Sequence, residues 1–589
     1  YGYAANSLCN GNGVCGKCRV QVHTPTIPYT QEEKKHLSRQ DMKIGIHLSC
    51  RVKVQDDMEI ILGSTTENAS ILTEANTAGI PLNPVLQKKA CILPSPALDD
   101  QRADADRICL TCSEKTPQAF SFPEDIFHGF DLELLRHIPG IIRENGYQVT
   151  TLNVMGRITG IEAGHTADAY YGVAIDIGTT TVAAYLYNLN DGSRLSVASM
   201  LNPQKKYGAD VISRIDHASK SSTQAAEMAG LICSAINELI EVLVQRKGLE
   251  KRDVYLVTIA ANTTMLHLLL QLPAIQLARA PFVPVTVSTL LMKPRELSMN
   301  INPQGYVILL PGVSAYVGAD TTAAVLSTGI HQGAKASLLV DIGTNGEIVL
   351  GNKDFLISCS TAAGPAFEGA NISCGTGGIE GAISEVTVDN AGELQVKTIG
   401  DQKAIGICGS GLIDAIACML QIGILDETGR ILGCEELDDN ALKYADRLIA
   451  VNAQPAFSLI QTNDIPIYIT QKDVREVQSA KAAIAAGIAI LIREAELKTD
   501  DIHSVFLAGG FGSYMRIGSA AQIGLLPKVL DDRMITVGNA AGAGAIRSLL
   551  CQEELIQTAS IAKRIKYLEL SSRQDFVLEY TNQMLFDMD

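Results

Sequence analysis

The sequence predicts a multidomain protein of mixed α/β and α+β class, and three observations carry this prediction. The length of 589 residues leaves room for about three or four domains. A glycine-rich loop near the start holds three cysteines, and two later stretches repeat the same apolar and Asp-x-Gly-Thr pattern. These features indicate a small cysteine-bearing module followed by a large domain that contains a duplication.

The repeated pattern is the feature around which the large domain is organised. Residues 173–187 read Val-Ala-Ile-Asp-Ile-Gly-Thr-Thr-Thr-Val-Ala-Ala-Tyr-Leu-Tyr, and residues 338–350 read Leu-Leu-Val-Asp-Ile-Gly-Thr-Asn-Gly-Glu-Ile-Val-Leu. Each stretch predicts a β-hairpin with a tight glycine turn. Such a turn exposes a carboxylate, backbone N–H groups and hydroxyls, which can hold a phosphate chain and the shell of a magnesium ion.

The two copies together favour phosphate binding more strongly than either copy alone. A single Asp-x-Gly-Thr is most often an ordinary hairpin turn, whereas two copies in two apolar hairpins predict a duplicated domain that closes on one polyphosphate. Asp176 and Asp341 are the candidate catalytic carboxylates. The candidate phosphate-binding residues of the two turns are Gly178, Thr179, Thr180, Thr181, Gly343, Thr344, Asn345 and Gly346.

The charge and composition of the chain argue against two classes of binding partner. The formal net charge is −16 and the chain has no long basic run, which argues against nucleic acid and anionic membranes as main partners. The longest strongly apolar run, 482–492, is too short to span a bilayer. No signal peptide is apparent. The 14 cysteines, scattered through a large acidic chain, predict a reducing cytoplasm in which some cysteines are ligands.

The first cysteines predict an iron–sulfur site. Cys9, Cys15 and Cys18 give the spacing C-x5-C-x2-C on a glycine-rich loop, and Cys50 precedes a predicted strand over 52–62. Four thiolates, three of them on one loop, suit a 2Fe–2S cluster. A zinc site would normally have two short C-x2-C pairs, and here there is one. The sequence therefore favours the cluster over zinc or uncoordinated thiols.

The stretch around these cysteines resembles the plant- and vertebrate-type ferredoxins, and its x5 spacing is closer to the adrenodoxin-like branch. The resemblance implies a β-grasp fold for residues 1–63. Those domains begin with a β-hairpin and only eight residues precede Cys9 here, so the module is expected to be truncated. A polar stretch, 64–83, is predicted to be a flexible linker. A small middle domain is predicted for 84–168, with a strand-like piece at 148–154.

The middle domain contains a second group of cysteines. Cys109 and Cys112 form a C-x2-C pair, with Cys91 upstream, which is compatible with a second metal or dithiol site. One pair without a matching second pair favours unligated structural cysteines instead.

Between and beyond the hairpins lie further candidates for nucleotide contact. A predicted strand, 254–260, runs into Asn262 and then a helix. Asn262 could simply cap that helix, or it could also face the phosphates, because ligands lie at the C-terminal edge of the strands in open α/β sheets. After the second hairpin, a Gly/Pro loop carries one acid, Glu368. A later amphipathic helix carries Lys481, for which a solvent-exposed position is expected.

The last part of the chain supplies the remaining pieces of the pattern. A strand that begins at Val505 ends in Gly509 and Gly510, whose backbone could lie flat against a base or ribose. Two helices of small residues, 317–324 and 538–544, could approach each other closely, as a hinge between two lobes requires. The order along the chain is therefore hairpin, hinge helix, hairpin, Gly-Gly turn and hinge helix.

This ordered set resembles the ATPase superfamily that contains acetate and sugar kinases, Hsp70 and actin. The resemblance implies a two-lobed, actin-like ATPase domain over 169–589, with lobes at about 169–335 and 336–589. It also implies roles in binding ATP with Mg²⁺: the Mg–water shell for Asp176 and Asp341, the phosphates for Thr179, Thr180, Thr344 and Asn345, and the nucleoside for Gly509 and Gly510.

The chain as a whole resembles the reductive activators of corrinoid proteins. The resemblance runs from the Cys9 loop through 202–214, 262–265 and 363–369 to 507–512. It implies ATP-dependent transfer of one electron from the 2Fe–2S cluster to cob(II)amide, which regenerates cob(I)amide in anaerobic methyl transfer. The implied partners are a corrinoid protein and a cellular electron donor, and a homodimer is compatible with the sequence.

Other functions remain open at this stage. The chain could activate another low-potential enzyme, as the dehydratase activators of the same superfamily do, although those lack a ferredoxin module. It could also be a small-molecule kinase with a redox-sensing cluster, although neither a base nor a substrate pocket can be singled out. An ATP-binding, Hsp70-like clamp that passes no electron is a third alternative.

Overall fold

The computed structural model describes the chain between Cys18 and Phe586 with several gaps. The described residues are 18–24, 27–37, 39–53, 58–62, 79–112, 130, 132–208, 210–369, 371–461, 466–512 and 514–586. The predicted ligands Cys9 and Cys15 and most of the predicted linker, 64–78, lie outside them. Among the helices of these described ranges, none combines the length and the apolar character that crossing a membrane requires.

The N-terminal module contains a small antiparallel sheet and two short helices. Its elements are β1 (Arg19–Thr24), α1 (Gln31–His36), α2 (Arg39–Lys43), β2 (Ile46–Leu48) and β3 (Glu59–Leu62), with the sheet order β2-β1-β3. Glu33 Oε1 lies 3.0 Å from His47 Nδ1 and accepts a hydrogen bond from Leu48 N at 3.0 Å, which ties α1 to β2. The strand predicted over 52–62 begins only at Glu59 in the described residues.

The described residues of the next region, 79–112 and 132–168, form a three-stranded antiparallel sheet with two helices. The elements are β4 (Leu86–Ile92), α3 (Asp104–Cys112), α4 (Leu132–Glu144), β5 (Gln148–Val154) and β6 (Arg157–Ala163), with the sheet order β4-β5-β6. The strand predicted at 148–154 is confirmed. Cys112 is buried in the apolar core, and Cys91 and Cys109 pack against it. These positions suit the structural role that the sequence favours for the three cysteines.

The first lobe is built on a six-stranded mixed sheet with the order β11-β12-β10-β7-β8-β9. Its elements are β7 (Tyr171–Ile177), β8 (Thr181–Asn188), β9 (Arg194–Leu201), α5 (Val211–Ala218), α6 (Ser222–Gln245), β10 (Val254–Ala261), α7 (Thr263–Leu269), β11 (Leu290–Met292), β12 (Tyr306–Leu309) and α8 (Ala319–Thr328). The predicted hairpin β7–β8 and the predicted strand β10 are confirmed. Because β7 and β10 run parallel, with Asp176 beside Ala260, their C-terminal ends meet at one edge of the sheet.

The second lobe repeats this plan on a sheet with the order β23-β22-β13-β14-β15-β24, and it carries two small sheets, β17-β16-β18 and β19-β20-β21. Its strands are β13 (Ser337–Ile342), β14 (Gly346–Gly351), β15 (Leu356–Thr361), β16 (Ala382–Val388), β17 (Leu394–Thr398), β18 (Gly406–Ile407), β19 (Leu448–Val451), β20 (Gln454–Ile460), β21 (Ile467–Thr470), β22 (Ser504–Ala508), β23 (Met534–Gly538) and β24 (Ile565–Tyr567). Its helices are α9 (Gly409–Gln421), α10 (Gln471–Glu494), α11 (Gly509–Gly512), α12 (Ile517–Gln522), α13 (Ala540–Leu550), α14 (Gln552–Arg564) and α15 (Gln574–Asn582). The second predicted hairpin, β13–β14, is confirmed.

Helices α8 and α13 pack against each other at close range. A Cβ atom at Gly544 would lie 2.1 Å from Ala323 O, so a residue with a side chain could not occupy this crossing without a shift of the backbone. The prediction that the two small-residue helices approach closely is confirmed. Helix α13 also rests on the sheet of the first lobe, where Thr258 Oγ1 donates to Ala545 O at 2.8 Å. By packing, α13 therefore belongs with the first lobe, although it follows the second lobe's strands in the sequence.

Lys481 on α10 is buried, which contradicts the expected solvent-exposed position. Its side chain is 1% exposed, and Nζ donates to Leu585 O at 2.5 Å and lies near the ring of Phe586. The ammonium group is therefore satisfied by the backbone of the C-terminal segment, 104 residues away in the sequence. A partner at that distance leaves no trace in the helical pattern around Lys481.

Candidate functional site

The turns of the two hairpins face one cleft of about 1050 Å³. A Cβ atom at Gly346 would lie 2.8 Å from Thr361 Oγ1 and 2.9 Å from Ile484 Cγ1, so this glycine allows close packing of β14 and is not one of the lining residues. The structure brings the other predicted residues of the nucleotide site together as lining residues: Asp176, Gly178, Thr179, Thr180, Thr181, Asn262, Asp341, Gly343, Thr344, Asn345, Gly509 and Gly510.

The first turn is supported by two side chains that follow β9. Asn202 Nδ2 donates to Gly178 O at 2.9 Å, and Arg214 Nη2 donates to Thr179 O at 2.6 Å. Arg214 Nε donates to Gly208 O at 3.0 Å. Burial lowers the pKa of Arg214 to about 10, so the guanidinium remains charged at neutral pH. A buried positive charge beneath a turn that exposes N–H groups favours an anion in the cleft.

We expect Arg214→Met to weaken MgATP binding at least about tenfold and to lower the melting temperature. The change removes the charge, and it leaves the carbonyls of the half-buried Thr179 and the buried Gly208 without these donors. A buried polar group that loses its partner costs about 1–3 kcal/mol. Equilibrium binding of MgATP and thermal unfolding measure the two effects. The matched control is Arg279→Met, because Arg279 is exposed. Unchanged ATP affinity in Arg214→Met would contradict the assignment.

Two asparagines hold polar groups of the first hairpin in place. Asn262 Oδ1 accepts from Met265 N at 2.9 Å as the cap of α7, while its Nδ2 donates to Thr179 Oγ1 at 3.1 Å. Asn262 therefore caps α7 and also contacts the first turn. That it faces the phosphates stays a prediction. Asn539, the cap of α13, donates from Nδ2 to Asp176 Oδ2 at 2.9 Å and so fixes the first candidate carboxylate.

Four carboxylates gather at the cleft. Burial, with Asp320 and Asp341 nearby, raises the pKa of Asp176 to about 7. Burial likewise raises the pKa of Asp341 to about 7 and that of Asp320 to about 6, and the pKa of Glu347 lies well above its ordinary value. A divalent cation would relieve this repulsion, and Mg²⁺ prefers oxygen ligands and retains several waters. Among the described residues, no three of these acids stand close enough together to ligate one ion directly, so the group suits a magnesium ion held through its water shell.

Gly509 packs directly against the second candidate carboxylate. Its φ is +87°, and a Cβ atom there would lie 2.6 Å from Asp341 Oδ1, so both the backbone and the available space require glycine. The predicted Gly-Gly turn is the start of the four-residue helix α11. At Gly510 a Cβ atom would meet nothing within 4 Å. Gly509 thus positions Asp341, whereas Gly510 borders open space in the cleft.

One acid connects the turns of both hairpins. Glu368 ends the short 3-10 turn Pro365–Glu368. Thr180 Oγ1 donates to Glu368 Oε2 at 3.1 Å, and Thr344 Oγ1 donates to Glu368 Oε1 at 3.0 Å. Lys205 lines the same cleft; burial lowers its pKa, and the charge of Glu368 opposes that effect. The cleft therefore has an acid at the hydroxyls of its two turns and a lysine within electrostatic range of that acid.

Five residues of the cleft were missed or left without a role by the sequence patterns. Glu347 had a usable signal, because it is the one acid in the otherwise apolar strand β14, and Asp320 had a similar signal in the small-residue helix α8. Lys205 and Asn539 lie outside regular strands and had none. Glu368 was noted only as the single acid of its loop.

Two of the four predicted cluster ligands are described, and they lie together. Cys18 Sγ and Cys50 Sγ are 3.2 Å apart, and neither belongs to a disulfide. Two converging thiols fit the ligand chemistry of one iron–sulfur centre. The other two, Cys9 and Cys15, fall outside the described residues. Arg19, the residue after Cys18, lines the nucleotide cleft, so this module borders the cleft.

Three family models match consecutive parts of the chain. The model described as the RACo linker region matches residues 75–168, and the RACo middle region matches 171–333. The C-terminal domain of RACo, the ASKHA domain, matches 335–589. The three matches follow the sheet β4–β6, the first lobe and the second lobe.

Two relatives and one solved structure are similar over long stretches. The corrinoid activation enzyme RamQ of Eubacterium limosum is 33% identical over 591 residues, which cover 99% of this chain and 94% of that protein. The Co(II) methylated amine-specific corrinoid protein reductase of Methanosarcina barkeri is 26% identical over 426 residues, 67% of this chain and 73% of that protein. A solved structure of a reductive activator for corrinoid, iron–sulfur protein has a TM-score of 0.75 at 33% identity and covers 99% of this chain and 94% of that one. This chain therefore belongs to the RACo family, and the linker, middle and ASKHA regions of that family follow one another along it.

Proposed function

We propose that this protein is an ATP-dependent reductive activator of a corrinoid protein. It passes one electron from a 2Fe–2S cluster to the cob(II)amide of its partner and so regenerates cob(I)amide for anaerobic methyl transfer. The observation that carries the proposal is the presence in one chain of a two-lobed phosphate cleft and a converging thiol pair, with Arg19 bordering the cleft one residue after Cys18. The names of the two relatives and of the solved structure support the same class of reaction.

The combination of a nucleotide site and a one-electron carrier indicates an uphill electron transfer. Plant-type 2Fe–2S clusters have potentials near about −400 mV, and for one electron each further ~59 mV costs a factor of ten. The Co(II)/Co(I) couple of a corrinoid lies at very low potential, so the transfer needs a second source of free energy. ATP can supply it only through a difference in affinity for two states of the complex.

In this proposal each part of the molecule has a task. Lobe closure about α8 and α13 around MgATP favours the state that binds the corrinoid protein, and hydrolysis resets it. We assign the reaction to the cytoplasm, with a cellular electron donor as the second partner. The proposed ligand sets are Asp176 and Asp341 for the Mg–water shell, Thr179, Thr180, Thr344 and Asn345 for the phosphates, Gly509 and Gly510 for the nucleoside, and Cys9, Cys15, Cys18 and Cys50 for the cluster.

An anaerobic mixing experiment tests the proposal. The chemically reduced protein is mixed with a cobalt(II) corrinoid protein, and the cob(I)amide absorption band is followed with and without MgATP. We expect a band that grows only with ATP, because the cleft couples nucleotide binding to the uphill step. The matched control replaces ATP with ADP at the same magnesium concentration.

Two other outcomes would overturn parts of the proposal. Hydrolysis of ATP without a cob(I)amide band, over a panel of corrinoid proteins, would favour a kinase with a redox-sensing cluster, which phosphoryl transfer to sugars and acids would then test. A band of equal size without ATP would mean that the transfer is not uphill. In that case the nucleotide would have a different role.

A further inference from the structure

Glu368 connects the turns of the two hairpins by hydrogen bonds. Its two carboxylate oxygens accept hydrogen bonds from Thr180 Oγ1 of the first turn and Thr344 Oγ1 of the second, at 3.1 and 3.0 Å. These are hydroxyls of the same two turns that the proposed function assigns to the phosphates of ATP. If those turns hold the phosphates as proposed, the Glu368 carboxylate would stand beside the phosphate chain.

Two groups of charges in the cleft bear on the hairpin turns, and Arg19, Glu385, Lys397 and Arg516 line it as well. Asp176, Asp320, Asp341 and Glu347 influence one another, and this group fits the magnesium ion. Glu368 instead acts on the half-buried Lys205 and the buried Arg214, because its charge raises the pKa of each against the effect of burial.

Glu368 lies near cations, so its chemistry differs from that of the carboxylates assigned to the magnesium shell. A carboxylate in the magnesium group would share the metal, whereas Glu368 lies with positive charges that favour phosphate oxygens. A carboxylate next to a phosphate needs a proton or a hydrogen-bond donor between the two negative groups. A water molecule between Glu368 and the terminal phosphate would supply that donor.

We propose that Glu368 is the catalytic base of ATP hydrolysis in this cleft, an inference that rests on the proposed nucleotide site. When the ATP phosphates take over the hydroxyls of Thr180 and Thr344, Glu368 accepts a hydrogen bond from a water molecule instead. The water oxygen forms a bond to the γ-phosphorus as the bond from that phosphorus to the β,γ-bridging oxygen breaks. The proton of the water passes to Glu368 and then to the released phosphate. The products are ADP and inorganic phosphate.

Lys205 complements this role. Its ammonium group lines the same cleft and is close enough to Glu368 for the two charges to interact. When Glu368 accepts the proton, the negative charge in the cleft moves onto the phosphate oxygens, where a cation stabilises it. Lys205 is therefore placed to stabilise the charge that develops on the phosphates.

The first test separates ATP binding from ATP hydrolysis in Glu368→Gln. Glutamine has the same shape and can still bond to a threonine hydroxyl, but it cannot take the proton. We expect MgATP binding within about threefold of the wild type and single-turnover release of phosphate slowed by about 10²–10⁴-fold, the usual contribution of a general base. The matched control is Glu435→Gln, an exposed acid of the same lobe, for which both quantities should stay at the wild-type value.

A second test asks whether Glu368 only connects the two turns or also takes part in the reaction. In Glu368→Ala, sodium formate can bring a carboxylate into the vacated space, and we expect it to restore phosphate release several-fold, whereas sodium chloride at the same ionic strength should not. Hydrolysis by Glu368→Gln within about fivefold of the wild type would overturn the inference. Equal loss of binding and hydrolysis, without rescue by formate, would overturn it in favour of a residue that only connects the turns.

These measurements are made without a corrinoid protein. A wild-type protein that hydrolyses ATP through Glu368 but reduces no corrinoid would contradict the proposed function and leave this inference standing. If the wild-type protein reduces the corrinoid while Glu368→Gln still hydrolyses ATP, the proposed function stands and the inference about Glu368 is wrong.

Discussion

Replacing Asp341 by asparagine should abolish ATP-dependent reduction of the corrinoid protein while the cluster absorption spectrum stays unchanged. Asp341 stands at the end of β13, opposite Glu347 in the register of the second hairpin. In the proposed function it holds the water shell of the magnesium ion. Losing a carboxylate that positions a metal ion, where that ion stabilises phosphate charge by several kcal/mol, corresponds to at least about a 100-fold loss of rate. The rate of cob(I)amide formation with MgATP is the measurement.

The same substitution should not unfold the protein. Burial and the neighbouring Asp320 raise the pKa of Asp341, which means that these surroundings disfavour its charge. Asparagine removes that charge at nearly constant volume, so we expect an equal or higher melting temperature at pH 8. The control is Asp354→Asn, an exposed acid of the same lobe, which should match the wild type in every assay. ATP-dependent reduction at the wild-type rate in Asp341→Asn would refute the magnesium assignment.

The parts of the fold that the sequence predicted are those whose cause is local. The two hairpins follow from apolar runs that end in Asp-x-Gly-Thr, and the close crossing of α8 and α13 follows from their small residues. The strand at 148–154 likewise follows from its own residues. In each case neighbouring residues determine the conformation, and the tertiary structure only selects the partner.

The contacts that complete the cleft could not be predicted in this way. Glu368 reaches Thr180 over 188 residues of sequence, and Asn539 reaches Asp176 over 363. Each partner alone is an ordinary loop acid or helix cap, and its role exists only once the lobes are assembled. Lys481 is a further example. The sequence pattern predicts an exposed lysine, but its side chain is buried and its ammonium group donates to a carbonyl of the distant C-terminal segment.

Replacing Cys50 by serine should remove the electron-transfer activity and preserve the ATPase activity. Cys50 Sγ lies 3.2 Å from Cys18 Sγ, and Ser49 N donates to Cys18 O at 2.7 Å, which holds the turn after β2 against the start of β1. Iron–sulfur clusters are held by thiolates, and a serine hydroxyl is a poor substitute. We expect loss or a strong change of the cluster absorption, and cob(I)amide formation reduced to the level without protein.

Unchanged ATPase activity in Cys50→Ser would show that the substitution affects only the cluster. The hairpin side chains Thr179, Thr180, Thr344 and Asp176 make hydrogen bonds to Asn262, Glu368 and Asn539 within the cleft. We therefore expect MgATP hydrolysis by Cys50→Ser to stay within about twofold of the wild type. Cys434→Ser is the control, because Cys434 is an exposed thiol of the second lobe and its loss should change neither activity. Corrinoid reduction at the wild-type rate by Cys50→Ser would show that the thiol pair does not carry the electron. Loss of both activities would show instead that the N-terminal module, whose Arg19 lines the cleft, is needed for nucleotide turnover.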